Sequence, residues 1–175
     1  NILQTMHIKG RLQEIPQIID DCVDLYFYQS GHNRSDLRMP YLLSEYFYNN
    51  YKEKPIINSE PCYEQMGYSR KEYGRWSQQD VRRAAWQSIL SGASAGITYG
   101  ASGIYSWHRT SSNFDSLLGE AFDKPNSWNQ ALTYPGAWDY SFLKYFLNIH
   151  SIDDITPRND LLLSNKEGVR VGETQ

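Results

Sequence analysis

Lys54-Pro-Ile-Ile-Asn-Ser-Glu-Pro-Cys-Tyr-Glu64 is the stretch whose reading decides the fold. Ile56 and Ile57 are β-branched, follow a proline that suits the first position of a strand, and are stopped by Pro61. Residues 55–60 therefore predict a short buried strand. That strand ends on a carboxylate, Glu60, and the carboxyl ends of parallel strands are where α/β folds place reactive groups. Alternation along the strand puts Ile56, Asn58 and Glu60 on one face and Ile57 and Ser59 on the other. A lone glutamate after a strand is more often a solvated turn residue, so Glu60 gains weight only from its surroundings.

Working outward, residues 2–7 form a short apolar run that reads as a strand ending on His7, and residues 12–22 hold at most a short helix. Residues 23–29 are a stronger strand candidate, closed by Ser30-Gly31-His32-Asn33. Pro40 opens a helix that runs to about residue 49. Downstream of Glu60, the loop 65–76 carries Tyr68, Tyr73 and Trp76, expected at the rim of a cleft. Ser77 with Asp80 is a capping-box pattern for a helix whose buried face is Val81, Ala84, Ala85, Ser88 and Ile89, stopped by Gly92. Residues 96–100 read as another strand. A last helix starts at Pro135, with Trp138, Phe142, Leu143, Phe146 and Leu147 as its apolar face, and Trp86 and Trp138 are expected to pack.

Strand ends near residues 7, 29, 60 and 99, separated by helices and without tight hairpins, are the signature of parallel β/α units and an α/β fold. Each unit brings polar or aromatic side chains to the same end: His7, then Gln29 and His32, then Glu60, Tyr63 and Glu64, then Tyr99, Tyr105 and Trp107. Four such units are half of an eight-stranded barrel, and half a barrel leaves two unpaired sheet edges.

Composition narrows the function classes. The chain has 175 residues, enough for one average domain or part of a larger one, and a formal net charge of −3 with no basic run, which argues against a nucleic-acid partner. No twenty-residue apolar run suggests a membrane span. The 14 tyrosines and 5 tryptophans suit stacking on sugar rings, though they suit cores and interfaces too. Cys22 and Cys62 fall at opposite ends of the expected sheet and predict two free thiols. No Cys/His cluster has metal-ligand spacing and no glycine-rich phosphate loop opens a helix, so neither metal nor cofactor is expected.

Gln29-Ser-Gly-His32, the stretch 54–64, Asp80-Val-Arg-Arg-Ala-Ala-Trp-Gln-Ser88 and Gly92-Ala-Ser-Ala-Gly-Ile-Thr-Tyr-Gly-Ala-Ser-Gly-Ile-Tyr-Ser-Trp107 together resemble the apiosidase-like glycoside hydrolases, over most of residues 1–160. The resemblance implies a (β/α)8 barrel of which this chain supplies strands 5 to 8 within residues 1–155, with residues 156–175 leading toward a small β domain. It implies a glycosidase acting on oligosaccharides or polysaccharides, secreted or periplasmic, with no cofactor, and completed by the N-terminal half of the barrel. Glycosidases need two carboxyl groups across the scissile bond. By resemblance Glu60 is the nucleophile or base, and the general acid belongs to a fourth strand outside this chain, with retention favoured. His7, Gln29, His32, Tyr63, Glu64, Tyr99 and Trp107 are the expected substrate contacts, with His32 alternatively orienting Glu60 and Glu64 alternatively structural. Asp24 and Asp115 read as ordinary strand-start and loop residues. The competing reading is a carbohydrate-binding barrel without catalysis, distinguished by whether an acid or an apolar residue faces Glu60.

Overall fold

The computed structural model describes residues 2–68, 72–114, 123–152 and 155–161. Asp115 and most of residues 156–175 lie outside them. Strands β1 (Tyr26–Tyr28), β2 (Ile56–Asn58) and β3 (Gly96–Ile97) form one parallel sheet in the order β1-β2-β3. Tyr28 pairs with Asn58, and Asn58 with Ile97. Helix α1 (Gln17–Asp20) precedes β1, α2 (Met39–Tyr51) joins β1 to β2, and α3 (Gln78–Leu90) joins β2 to β3. After β3 come α4 (Trp128–Ala131), α5 (Gly136–Ile149) and a 3-10 turn at Asn159–Leu161. This is the expected α/β class, with each parallel step crossing through a helix.

One face of the sheet is sealed by helices. Tyr26, Tyr28 and Ile56 meet Leu43 and Phe47 of α2, Ala85 and Ile89 of α3, and Leu143 of α5 in a single buried cluster. The expected face of α3 is the buried one: Val81, Ala84, Ala85, Ser88 and Ile89 are all inside. Its capping box is complete, with Ser77 Oγ accepting from Asp80 N–H and the Asp80 carboxylate accepting from Ser77 N–H. On the other face of the sheet, Phe27 and Ile57 are only partly buried. Both cysteines are free, Cys22 exposed and Cys62 buried.

Two expectations are corrected. Residues 2–7 are not a continuous strand: pairing reduces to one parallel bridge between His7 and Phe27, flanked by Asp24 N–H to Gln4 O and Thr5 Oγ1 to Leu25 O, both 2.8 Å. Ile2, Leu3 and Met6 are exposed, so the run has no apolar layer to hold it extended against β1. The expected face of α5 holds at Leu143, Phe146 and Leu147 and fails at Trp138 and Phe142. Gly136, Tyr140, Leu143 and Leu147 face inward, while Trp138, at 76 % exposed, and Phe142, at 57 %, lie on a stripe offset by two residues, about 200° around the helix. Trp86 packs as expected, edge-on against Phe146 at 5.4 Å.

The centre of the sheet is polar. Asn58 is fully buried and its Nδ2 donates to Ser30 Oγ at 2.9 Å and Ser88 Oγ at 3.0 Å, joining β2 to the turn after β1 and to α3. Removing it leaves two buried hydroxyls short of a partner. Asn58→Ala is therefore expected to destabilise the fold by about 2 kcal/mol, read as a lower urea midpoint at unchanged slope.

Candidate active site

The alternation along β2 holds as far as Asn58, and then Pro61 turns the chain, so Glu60 leaves the helix-facing side and emerges at the carboxyl end of the sheet. Its side chain is 25 % exposed. His7 Nε2 lies 2.8 Å from Oε2 and His32 Nε2 lies 2.8 Å from Oε1. An ionised carboxylate has no hydrogen to give, so each imidazole donates through Nε2–H. The hydrogen bond from His32 is the largest influence on Glu60 and lowers its pKa. Partial burial opposes it, and the contact with His7 adds to the lowering. The result is a carboxylate kept charged at the end of the central strand.

Each partner arrives by a definite route. His32 follows the turn after β1, where Gly31 N–H donates to Glu60 O at 2.9 Å and ties the two strand ends together. His7 comes from the bridge to Phe27, with its Nδ1 3.5 Å from Ser59 Oγ. Trp76 donates from Nε1 to His32 O at 3.0 Å. In the loop 65–76, expected at the rim of a cleft, Trp76 is buried against Val81 and Ala84, anchors the His32 turn and lines a small pocket with Gly31, Asn33 and Arg83. Tyr68 packs edge-on against Trp76 at 5.1 Å, and Tyr73 is fully exposed.

Tyr63 completes the wall beside Glu60. Its ring stands 4.5 Å from His32 and 5.8 Å from Tyr105. Burial, with smaller contributions from Glu60 and Tyr105, pushes its phenol up to about 12, so it stays a neutral hydrogen-bond donor. The ring lies directly on Gly100, where a Cβ would come within 2.0 Å of Tyr63 Cδ1. Gly100 was legible only as part of Tyr-Gly-Ala-Ser-Gly, and nothing in that pattern announces a ring resting on its backbone.

Three other expected substrate contacts turn inward. Gln29 is buried and its Nε2 donates to Ile8 O. Glu64 is 1 % exposed, and its Oε2 accepts from Tyr99 Oη at 2.6 Å and from Gly136 N–H at 2.8 Å. Glu64 thus clamps the loop after β2 to the first residue of α5, and Tyr99 is engaged in the same clamp. Burial pushes the Glu64 carboxyl up while the Tyr99 bond pulls it back. A side chain at Gly136 would strike Glu64 Oε2 at 2.3 Å. Trp107 is exposed, stacked on Trp128. Among the described residues, no group of three His, Cys, Asp or Glu side chains is placed to hold a metal ion.

Because His32 is the strongest influence on Glu60, its loss should be felt most. Titrating the Glu60 carboxyl by carbon NMR, His32→Ala is expected to move its pKa upward, since burial is then less opposed, and His7→Ala to move it upward by less. An unmoved or falling pKa in His32→Ala contradicts this electrostatic account.

Known proteins place this geometry in context. A glycoside hydrolase family 5 protein from Bacteroides vulgatus ATCC 8482 superimposes with a TM-score of 0.69 at 27% identity, over 83% of this chain and 33% of that one. A second structure, a glycoside hydrolase, superimposes with a TM-score of 0.61 at 25% identity, over 72% of this chain and 30% of that one. The chain spans about a third of the length of these solved structures. No curated protein matches it. The sequence profile of the apiosidase-like catalytic domain matches residues 1–153, and with parallel β/α units and a carboxylate at the end of the central strand, the chain belongs to the apiosidase-like catalytic domain family of glycoside hydrolases.

Proposed function

We propose that this chain forms the half of a (β/α)8 barrel that carries the nucleophile or base of a glycoside hydrolase, and that Glu60 is that residue. The observation that carries the reading is the carboxylate at the end of β2, charged, partly exposed and gripped by His7 and His32 at 2.8 Å each. A group that stabilises an oxocarbenium-like transition state must be negative and fixed in position, and two N–H donors do both. His7, Tyr63 and Trp107 border the same end of the sheet and are the proposed sugar contacts, with His32 serving to orient Glu60. Gln29, Glu64 and Tyr99 are left to hold the fold.

The general acid comes from polypeptide outside this chain, as does the other half of the barrel. Two features support this: the partly buried face bearing Phe27 and Ile57, which an eight-stranded closure would turn into a barrel interior, and solved relatives three times as long. The substrate is an oligosaccharide or polysaccharide, and a polymer of that kind goes with a secreted or periplasmic location. Retention is the proposed stereochemistry, which requires the acid about 5 Å from Glu60 rather than the longer separation of inverting enzymes.

In the complete protein, Glu60→Gln keeps size and most hydrogen bonds but removes the charge, so kcat on an aryl glycoside or a native oligosaccharide is expected to fall by roughly three orders of magnitude or more with little change in binding. Glu64→Gln should cost stability before it costs turnover. A folded Glu60→Gln protein with near-normal kcat would sink the assignment. The half-barrel reading has its own test. Residues 1–175 expressed alone would expose the outer edge of β3 and that of the segment bridged to β1 through His7, and should self-associate or melt without cooperativity. A monodisperse monomer with a sharp transition contradicts it.

A further inference from the structure

Residues 101–108 form a turn fixed by Trp107 N–H to Ile104 O at 3.0 Å and His108 N–H to Gly103 O at 2.9 Å. Within it Trp107 adopts φ 49°, the left-handed region that bulky side chains rarely enter. Its indole lies parallel to that of Trp128, with ring centroids 4.8 Å apart and an interplanar angle of 6°. Trp128 opens α4 and is itself pinned, its N–H donating to His108 O at 2.8 Å. Trp107 is still 58 % exposed although Trp128 covers one of its faces. More than half of its surface stays open to solvent.

A large aromatic ring in a strained conformation, backed by a second indole yet more than half exposed, gains little as a packing device. Burial is what makes such rings stabilising, and here most of it is forgone. What the pair does provide is a flat, rigid apolar surface whose orientation is set in advance. A ring of C–H groups on the face of a sugar stacks on such a surface, and a platform already fixed loses little freedom on binding. Its location agrees. Tyr105 on the same turn is 46 % exposed and reaches Tyr63, which stands against His32 and so against Glu60.

We propose that Trp128 is a positioning residue that holds the Trp107 indole as a stacking platform for a sugar unit beyond the one whose bond is broken at Glu60. The site thereby selects oligosaccharide chains over simple glycosides. The proposal rests on the glycosidase reading above and assigns it a specificity element. Trp107 touches the sugar; Trp128 acts only through Trp107.

The test uses the complete protein with Glu60→Gln, so that binding is read without turnover, and cellotetraose, xylotetraose and mannotetraose as probes in isothermal titration. At least one is expected to bind. Trp107→Ala and Trp128→Ala should each weaken that binding about tenfold. The double variant should be no worse than Trp107→Ala alone, and Trp128→Phe should keep most of the affinity. Either alanine variant should also abolish the far-ultraviolet exciton couplet of the indole pair while leaving the helical signal intact. With Glu60 restored, Trp128→Ala should raise KM for the tetrasaccharide more than it lowers kcat, and by several-fold more than it raises KM for the matching 4-nitrophenyl glycoside. The proposal is overturned by failure of all three tetrasaccharides to bind, by undiminished affinity in Trp128→Ala, by additive losses in the double variant, or by equal losses on the simple glycoside. Tetrasaccharide binding that depends on Trp128 in a protein that cleaves no glycoside upholds the platform and overturns the glycosidase reading instead.

Discussion

A carboxylate at the end of a buried strand stays charged only if donors reach it, and the contact of Glu60 with His7 and His32 is the interaction around which this end of the molecule is arranged. Each donor comes from a different segment. His32 needs β1 and the turn after it, which is braced by Gly31 N–H on Glu60 O and by Trp76 on His32 O. His7 needs the bridge to Phe27. Parallel pairing brings these strand ends to one side, so the sheet topology and the electrostatics of the site are one constraint seen at two scales.

Below that rim, buried polar side chains do mechanical work. Asn58 links β2 to the β1 turn and to α3, and Glu64 links the loop after β2 to the first turn of α5. A glutamate that accepts a helix-opening N–H and a tyrosine hydroxyl is well satisfied where it is, and exposing it to a sugar would break both contacts. The aromatic side chains divide in the same way. Trp76 is inside and Trp107 outside, and the difference lies in what their indoles meet: His32 O and α3 for the first, one face of Trp128 for the second.

Much of the fold was legible in the sequence because the relevant signals are local. Pro55 and Pro61 bracket β2, Ser77 and Asp80 announce α3, and the spacing of Val81, Ala84, Ala85, Ser88 and Ile89 marks its buried face. The convergence of His7, His32, Glu60 and Tyr63 followed from strand ends alone. What was not legible depends on partners far away in the chain. Gln29 and Glu64 look like ligands until Ile8 O and Gly136 N–H are found to occupy them. On α5 the spacing marks Leu143 and Leu147 correctly, but aromatic residues fill both sides of that helix, and nothing local tells Trp138 and Phe142 from Tyr140 on the inner side, where the helix start approaches Glu64 at Gly136. Residues 2–7 have strand-like composition, but a strand also needs its side chains covered, and Ile2 and Leu3 are not.

The central claim, that position 60 faces the bond to be broken, is tested most directly by a crystal structure of the complete protein carrying Glu60→Gln with an uncleaved oligosaccharide bound. The account predicts the anomeric carbon either within about 3.5 Å of the side chain at position 60 and in line for attack, or farther off with one water held between them. It also predicts a second carboxyl group from the other half of the barrel beside the glycosidic oxygen. A saccharide bound with its anomeric carbon out of reach of position 60, or with only apolar side chains across the bond, would contradict it.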